Sequence, residues 1–283
     1  MQDVFQAQLY KMARPKTLIL FILFLLFVSL EARAQLIYES GGKLLPEQAA
    51  YNVHHYELDL RINPSDSTVA GRAWIRAILL KPVESIIVDL HPDLVIEQIL
   101  SDNKRDTDHG KSQLAFKRES ESKRNHVSLP EWVQPGDHFE LEIHYHGKPV
   151  IAENPPWEGG FVWARTPDGQ PWIGVTGQTS GAWTWWPHKD HPSDKPDSVT
   201  MRFTLPEELV VASNGILRAT RMEEDGWKSW EWFSPAPISP YNVTFNAAPY
   251  QTIKGNYRSV TGTKVPLRFW VLPDRFEDAE RLF

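Results

Sequence analysis

Three features of the 283-residue sequence predict an all-β fold. Apolar residues recur at every second position through most of it. Pro, Gly, Asn and Asp gather between those runs, and no segment before residue 273 holds a helical period of useful length. Such alternation suits a half-buried strand, where successive side chains point to opposite faces.

Residues 1–34 stand apart from that pattern. Lys11, Arg14 and Lys16 precede the apolar run 17–30, and Ala32 and Ala34 place small residues at the two positions a signal peptidase reads. This predicts a secretory signal peptide cleaved before Gln35, and a secreted or periplasmic location with no membrane attachment after cleavage. The run is shorter than the roughly 20 residues a helix needs to cross a bilayer, so cleavage is expected over anchoring.

The formal net charge is −6, and the leader is the more basic part. A mildly acidic surface argues against a nucleic-acid partner. With no Cys, an exported chain is held together by packing rather than disulfides.

Residues 35–50 form a polar, Gly-containing lead-in. Alternation starts in 51–62, where Val53, Tyr56, Leu58, Leu60 and Ile62 share a face. Pro64 to Ser67 turns the chain into a second strand, 69–80, so the two read as a hairpin. Short strands follow at 85–90 and 94–100, with Pro92 in the turn between them. The polar section 101–124 is expected to be an exposed hairpin with a charged tip at 119–124.

Strand 138–145 places Phe139, Leu141, Ile143 and Tyr145 on one face. His138, Glu140, Glu142, His144 and His146 share the other, either as a wet surface or with two His approaching one metal. Further strands are expected at 161–165, 171–175, 198–205, 209–212, 227–233, 241–247 and 265–272. Residues 275–283 read as a helix start, with Asp274 as N-cap and Glu277 completing a capping box.

The stretch 171–196 carries four of the 12 Trp, together with Gln178, His188, Lys189, Asp190 and His191. Aromatics this dense beside polar groups mark either a core corner or the wall of a cleft. His188, Asp190 and His191 admit a metal or an ordered, hydrogen-bonded loop. Routine catalytic signatures are absent from the sequence: there is no His-Glu-x-x-His, Gly-rich phosphate loop, G-x-S-x-G elbow or thiol nucleophile. The pairs Glu207-Glu208 and Glu223-Glu224 are adjacent in sequence and diverge on a strand, as a solvated surface does.

The segment GQTSGAWTWWPHKDHPSDKPDSVTMRFTLPEELVVASNG resembles the amino-terminal β domain of the zinc aminopeptidases of peptidase family M1, the group of alanyl aminopeptidase and leukotriene A4 hydrolase. The resemblance rests on Gln178, the run Pro187 to Pro192, the apolar strand 199–205 and the turn Ser213-Asn214-Gly215. It continues through Trp232 to Pro235 and Pro237 to Tyr241, and upstream in the hairpin 51–76. Trp183, His188 and His191 depart from the family's common Arg, Cys and Glu; either the first two repack this corner, or Trp183, Trp185 and Trp186 together reshape the cleft.

The resemblance implies a saddle-shaped, multi-sheet, β-sandwich-like domain over 51–272, with 273–283 opening a catalytic domain whose remainder is missing. It places the zinc ligands, the general-base Glu and the Gly-x-Met-Glu-Asn loop in that absent domain, so this chain is expected to hold no zinc and no catalytic residue. In the family's reaction a zinc-activated water attacks the first peptide carbonyl. By pattern, Gln178 is the residue that contacts the substrate's free amino terminus. The implied partners are the catalytic domain and peptide N-termini. The alternative function is a free-standing secreted module in which the Trp-rich region 157–186 stacks on sugars or peptides, which requires an exposed platform of rings.

Overall fold

The computed structural model describes residues 40–102, 110–178 and 181–283. The expected signal peptide, the start of the lead-in, part of the polar section 101–124, and Thr179 and Ser180 lie outside the described residues. No helix among the described residues is long and apolar enough to cross a membrane.

The first element among the described residues is a short helix α1 (Pro46–Ala49). Strands β1 (Tyr51–Asn63), β2 (Thr68–Leu79), β3 (Ser85–Asp89), β4 (Leu94–Asp102), β5 (Lys111–Gln113), β6 (Phe116–Arg118), β7 (Arg124–Ser128) and β8 (His138–Gly147) follow. Next come β9 (Gly160–Arg165), β10 (Pro171–Thr176), β11 (Ser198–Pro206), β12 (Val210–Ser213), β13 (Ile216–Met222) and β14 (Trp227–Ser234). The last strands are β15 (Phe245–Ala248), β16 (Gln251–Arg258) and β17 (Lys264–Val271), and helix α2 (Phe276–Leu282) ends the chain.

These strands form four sheets. The largest has the order β13-β14-β11-β1-β2-β8-β4-β5, and a four-stranded sheet runs β12-β15-β10-β9. Three strands pair as β3-β7-β6, and β16 and β17 form a hairpin. The β1–β2 hairpin sits near the middle of the large sheet, flanked by β11 and β8, and its turn is strongly specified. Asp66 Oδ1 accepts from the Thr68 amide (3.2 Å) and hydroxyl (2.7 Å), and Ser67 turns back at φ 59°. Strand β11 returns beside β1 in parallel, pairing Tyr56 with Val199 and Leu60 with Phe203. That pairing brings the segment just before β11 against the start of β1.

The alternating apolar residues of β1, β2, β8 and β11 all point inward. Leu58, Leu60, Ile75, Leu141, Ile143 and Phe203 are fully buried in one core, which also takes Ile86, Val88 and Val127 from the three-stranded sheet and Phe245 and Ala247 from the four-stranded one. Phe203 and Phe245 meet with ring centroids 4.5 Å apart, joining the large sheet to the four-stranded sheet. A multi-sheet β architecture with a helix at the C-terminal end is therefore observed.

The opposite face of the large sheet is a ladder of charges. Arg76 bonds Glu140 (2.6 Å) and Glu57 (3.1 Å), and Arg202 bonds Asp59 (3.1 Å) and Glu231 (2.8 Å). His144 and His146 belong to this face and each meets a carboxylate, Glu142 at 2.8 Å and Glu97 at 2.7 Å. The arrangement is a wet outer surface; such partly exposed pairs contribute little stability singly.

Several sequence expectations need correction. Residues 119–124 are not uniformly a solvated tip, because Ser122 and Lys123 are buried. Residues 240–242 form a 3₁₀ turn, so the strand expected at 241–247 is confined to β15. The N-cap of α2 is Arg275 and no side chain caps it; Asp274 lies in the preceding 3₁₀ turn, its carboxylate 3.3 Å from Arg275 Nε. Pro273 at the start of that turn supplies a fixed φ that begins the helical path without a side-chain cap.

Candidate functional site

Strand β10 pairs with β9 and β15 and delivers the chain to Gly177 and Gln178. At Gly177 the backbone runs hard against the 240–242 turn: a Cβ there would lie 2.0 Å from the Tyr241 carbonyl oxygen. Only glycine admits that approach. Gln178 follows directly and is exposed.

Two hollows meet at this point. One, about 230 Å³, is lined by Ser40, Gly181, Asp190, Pro192 and Tyr241 along with Gln178. The second, about 500 Å³, lies between Gln178, Pro156, Asn214, Ile238, Tyr241 and Thr244. Tyr241, 44% exposed, borders both. Replacing Gly177 by Ala forces the strand end and the turn apart, at a cost of about 1–3 kcal/mol by analogy with overpacked cores. A fall of several degrees in Tm is expected, and a variant that melts with the parent would refute the close contact.

Gly181 closes the turn, with φ +81° and its amide donating to the Gly177 carbonyl (3.1 Å). The chain then passes through the 3₁₀ turn Ala182–Thr184 into the interior. Trp185 and Trp186 are fully buried, and Trp183 is 4% exposed. Trp185 packs against Phe161, Phe203 and Phe245 at 5.9–6.3 Å, and Trp186 stands edge-on to Tyr56 at 4.9 Å. These tryptophans repack the corner beneath the site rather than line a cleft. Of the Trp-rich region, Trp157 and Trp172 remain exposed, so rings 183, 185 and 186 supply no stacking platform.

A buried polar cluster underlies the first hollow. Asp190, 5% exposed, accepts from Ser40 Oγ (2.5 Å) and from the Lys123 ammonium, and its Oδ1 lies 3.5 Å from His188 Nε2. Lys189 donates to the Tyr51 carbonyl (2.6 Å) and to Asp194 Oδ2 (2.7 Å). Asp89, wholly buried, accepts at Oδ2 from Gln48 Nε2 (3.2 Å) and from the Asp190 amide (3.0 Å).

Burial pushes the Asp89 carboxyl up to about 6, with nearby Lys123 opposing and the Asp190 charge reinforcing the rise. Burial would also raise Asp190, but the hydrogen bonds and charges of His188 and Lys123 outweigh it and bring the carboxyl down to about 2. Desolvation lowers Lys189, against the pull of Asp194.

Of the three side chains considered for a metal, His188 and Asp190 approach each other (Nε2 to Oδ1, 3.5 Å) and His191 points away from both. His188 Nδ1 is 3.2 Å from the Trp186 carbonyl, whereas His191 turns outward to Ser193 Oγ (2.7 Å) and the Gly42 carbonyl (3.2 Å). No group of three or more His, Cys, Asp or Glu among the described residues is placed to hold a metal ion. Sequence reasoning missed Asp89 and Lys123. A carboxylate at the end of the apolar run Ile86-Ile87-Val88, followed by Leu90, was a readable sign of a buried acid; Lys123 among other charges had no such mark.

Comparison with known proteins returns one family. The peptidase M1 N-terminal domain family matches residues 52–242. Among solved structures, an M1 zinc metallopeptidase from Deinococcus radiodurans bound to a Tyr-Ser-Ala substrate superposes with a TM-score of 0.62 at 20% identity, over 77% of this chain and 47% of that one. A two-domain M1 zinc metallopeptidase bound to L-arginine gives 0.63 at 20%, over 82% and 52%. Native leukotriene A4 hydrolase from Saccharomyces cerevisiae gives 0.61 at 18%, over 83% and 33%.

This chain thus spans about half the length of the first of these structures, and at such identities the superpositions speak for the fold alone. No curated protein sequence matches. The family match takes in the β1–β2 hairpin, the Gln178 turn, the buried tryptophans and the 240–242 turn, well over half of the chain, and on that ground the chain belongs to the peptidase M1 N-terminal domain family.

Proposed function

We propose that this chain is the substrate-anchoring domain of an exported zinc metalloaminopeptidase and acts with a catalytic domain that carries the zinc. The observation that carries the reading is the exposed Gln178 at the junction of two hollows, held there by the tight Gly177–Tyr241 contact in a domain of this family. The described residues do not fit a zinc ion themselves. In this reading the contribution of this chain is positional.

Gln178 offers a carbonyl oxygen to the ammonium of a peptide's free end, a charge-assisted hydrogen bond. Being neutral, the amide costs less to desolvate than a carboxylate in the same place. An amino terminus fixed in this way sets which peptide bond reaches the reacting centre, and binding energy is used to orient the substrate.

The test is Gln178→Ala in an enzyme assembled from this chain and a catalytic domain of the family. Losing one hydrogen bond to a charged group, about 1.5–3 kcal/mol, lowers kcat/KM for a free-amino dipeptide by about 10- to 150-fold. Hydrolysis of an N-acetylated analogue is expected to be unchanged relative to the parent. Equal losses on both substrates would remove Gln178 from amino-terminus recognition.

A further inference from the structure

Two histidines 84 positions apart meet on the charged face of the large sheet. His54 Nε2 lies 3.4 Å from His138 Nδ1, with ring centroids 5.3 Å apart and the ring planes at 63°. That separation exceeds the roughly 2.7–3.2 Å of an ordinary hydrogen bond from an N–H group. A bond between the two rings alone is a poor account of the contact.

A β-bulge brings the rings together. Strand β1 pairs Val53 with Ala77 of β2 and resumes with His55 opposite Arg76, so His54 is an extra residue in β1. In regular alternation His54 and His55 would point to opposite faces of the sheet. His55 lies on the outer face, its Nδ1 2.8 Å from Ser198 Oγ, and the bulge turns His54 to that same face. The Asp197 amide fixes the bulge by donating to the His54 carbonyl (2.9 Å). His138 opens β8, is exposed, and shares the outer face with Glu140 two positions on.

Nitrogens at this spacing are bridged by one ion about 2.0 Å from each, the ordinary metal–imidazole length, at an angle a little wider than tetrahedral. Rotation of the exposed His138 ring adjusts that angle. Zinc centres take three or four protein ligands, and no such set exists among the described residues. Copper(II) holds a given nitrogen site more tightly than nickel or zinc does, and imidazole suits it. We propose that His54 Nε2 and His138 Nδ1 bind one copper(II) ion on the outer face of the large sheet, with water completing its coordination.

The surroundings accept a cation there. Two charged groups face the pair: Asp197, from the segment before β11, and Arg76, from β2. Arg76 is already engaged by Glu140 (2.6 Å) and Glu57 (3.1 Å), which offset its charge. Burial and the neighbouring His138 lower the His54 imidazole below its ordinary value, against the pull of Asp197 and with Arg76 adding to the fall, which favours an unprotonated ring at neutral pH. Which nitrogen carries the proton in the free pair is immaterial, because the ion displaces it. The site stands on these residues alone and is independent of the role given to Gln178.

The test is titration of the full chain with copper(II), nickel(II) and zinc(II) salts at pH 7.5 in a non-coordinating buffer, by calorimetry and, for copper, electron paramagnetic resonance. One copper(II) per chain with two nitrogen donors is expected, and affinity falls in the order copper, nickel, zinc. Lowering the pH to 5.5 releases the ion as protons compete for the rings. His138→Ala is expected to weaken copper binding by about tenfold or more, as the loss of one of two ligands must. His144→Ala, which removes a histidine of the same face outside the pair, leaves it unchanged. A parent chain without a saturable copper site, or equal losses in the two variants, would overturn the proposal. The donor count in the parent spectrum decides the matter even if a variant fails to fold.

Discussion

Lys123→Ala is expected to destabilise the chain by about 3–5 kcal/mol, the cost of leaving a buried charge without its partner. Lys123 and Asp190 are 4% and 5% exposed, so water cannot take the place of the ammonium. The same substitution strips the cation from the face of Trp183, 4.8 Å from its ring. Urea unfolding at pH 7 measures the loss directly.

The pH dependence of that loss has a definite sign. Asp190 is held at about 2, so its stabilisation is complete above the unfolded value of 3.8 and disappears as the pH falls through 2. Lys123 is part of what holds it there, so the gap between parent and variant is widest near neutrality and narrows in acid. The double variant Lys123→Met, Asp190→Asn removes both charges at similar volume and is expected to recover much of the stability. A double variant no better than Lys123→Ala would mean that the ion pair itself is not the source.

Trp185→Ala carries an effect of similar size, about 3–5 kcal/mol for a buried Trp truncated to Ala. Trp185 joins Phe161, Phe203 and Phe245, and its backbone carbonyl accepts from Tyr145 Oη at 3.1 Å. The cavity would open where the large and four-stranded sheets meet. Trp185 Nε1 is buried and has no partner among the described residues. Trp185→Phe therefore loses volume but also removes an unsatisfied donor, a group whose burial costs about 1–3 kcal/mol. The Phe variant is expected to lose less than half of what the Ala variant loses. Thermal or denaturant unfolding of the two side by side checks this, and equal losses would refute the role given to the indole N–H.

The strands that line the core were legible because their signal is local. In β1, β2, β8 and β11 one face is buried and the other wet, so apolar residues fall at every second position. Strands β13 and β16 were missed for the same reason. β13 is an edge strand with nearly every residue exposed, and β16 pairs only with β17, so neither carries an apolar face to be read. Gln178 was found through the resemblance of its surroundings, and the structure places it on the surface between two hollows. Asp274 failed as a cap because the Pro273 turn starts the helical path by backbone geometry instead.

Residue order along the chain specified the all-β class, the inward face of each core strand and the neighbourhood of Gln178, since each depends on neighbours a few positions away. Contacts between distant segments decided the rest. Asp190 meets Lys123 across 67 positions and Ser40 across 150, and Gly177 meets the carbonyl of Tyr241. A lysine inside a run of charges looks solvated until a sheet folds over it, because burial and charge pairing belong to the packed chain and leave no period in the sequence.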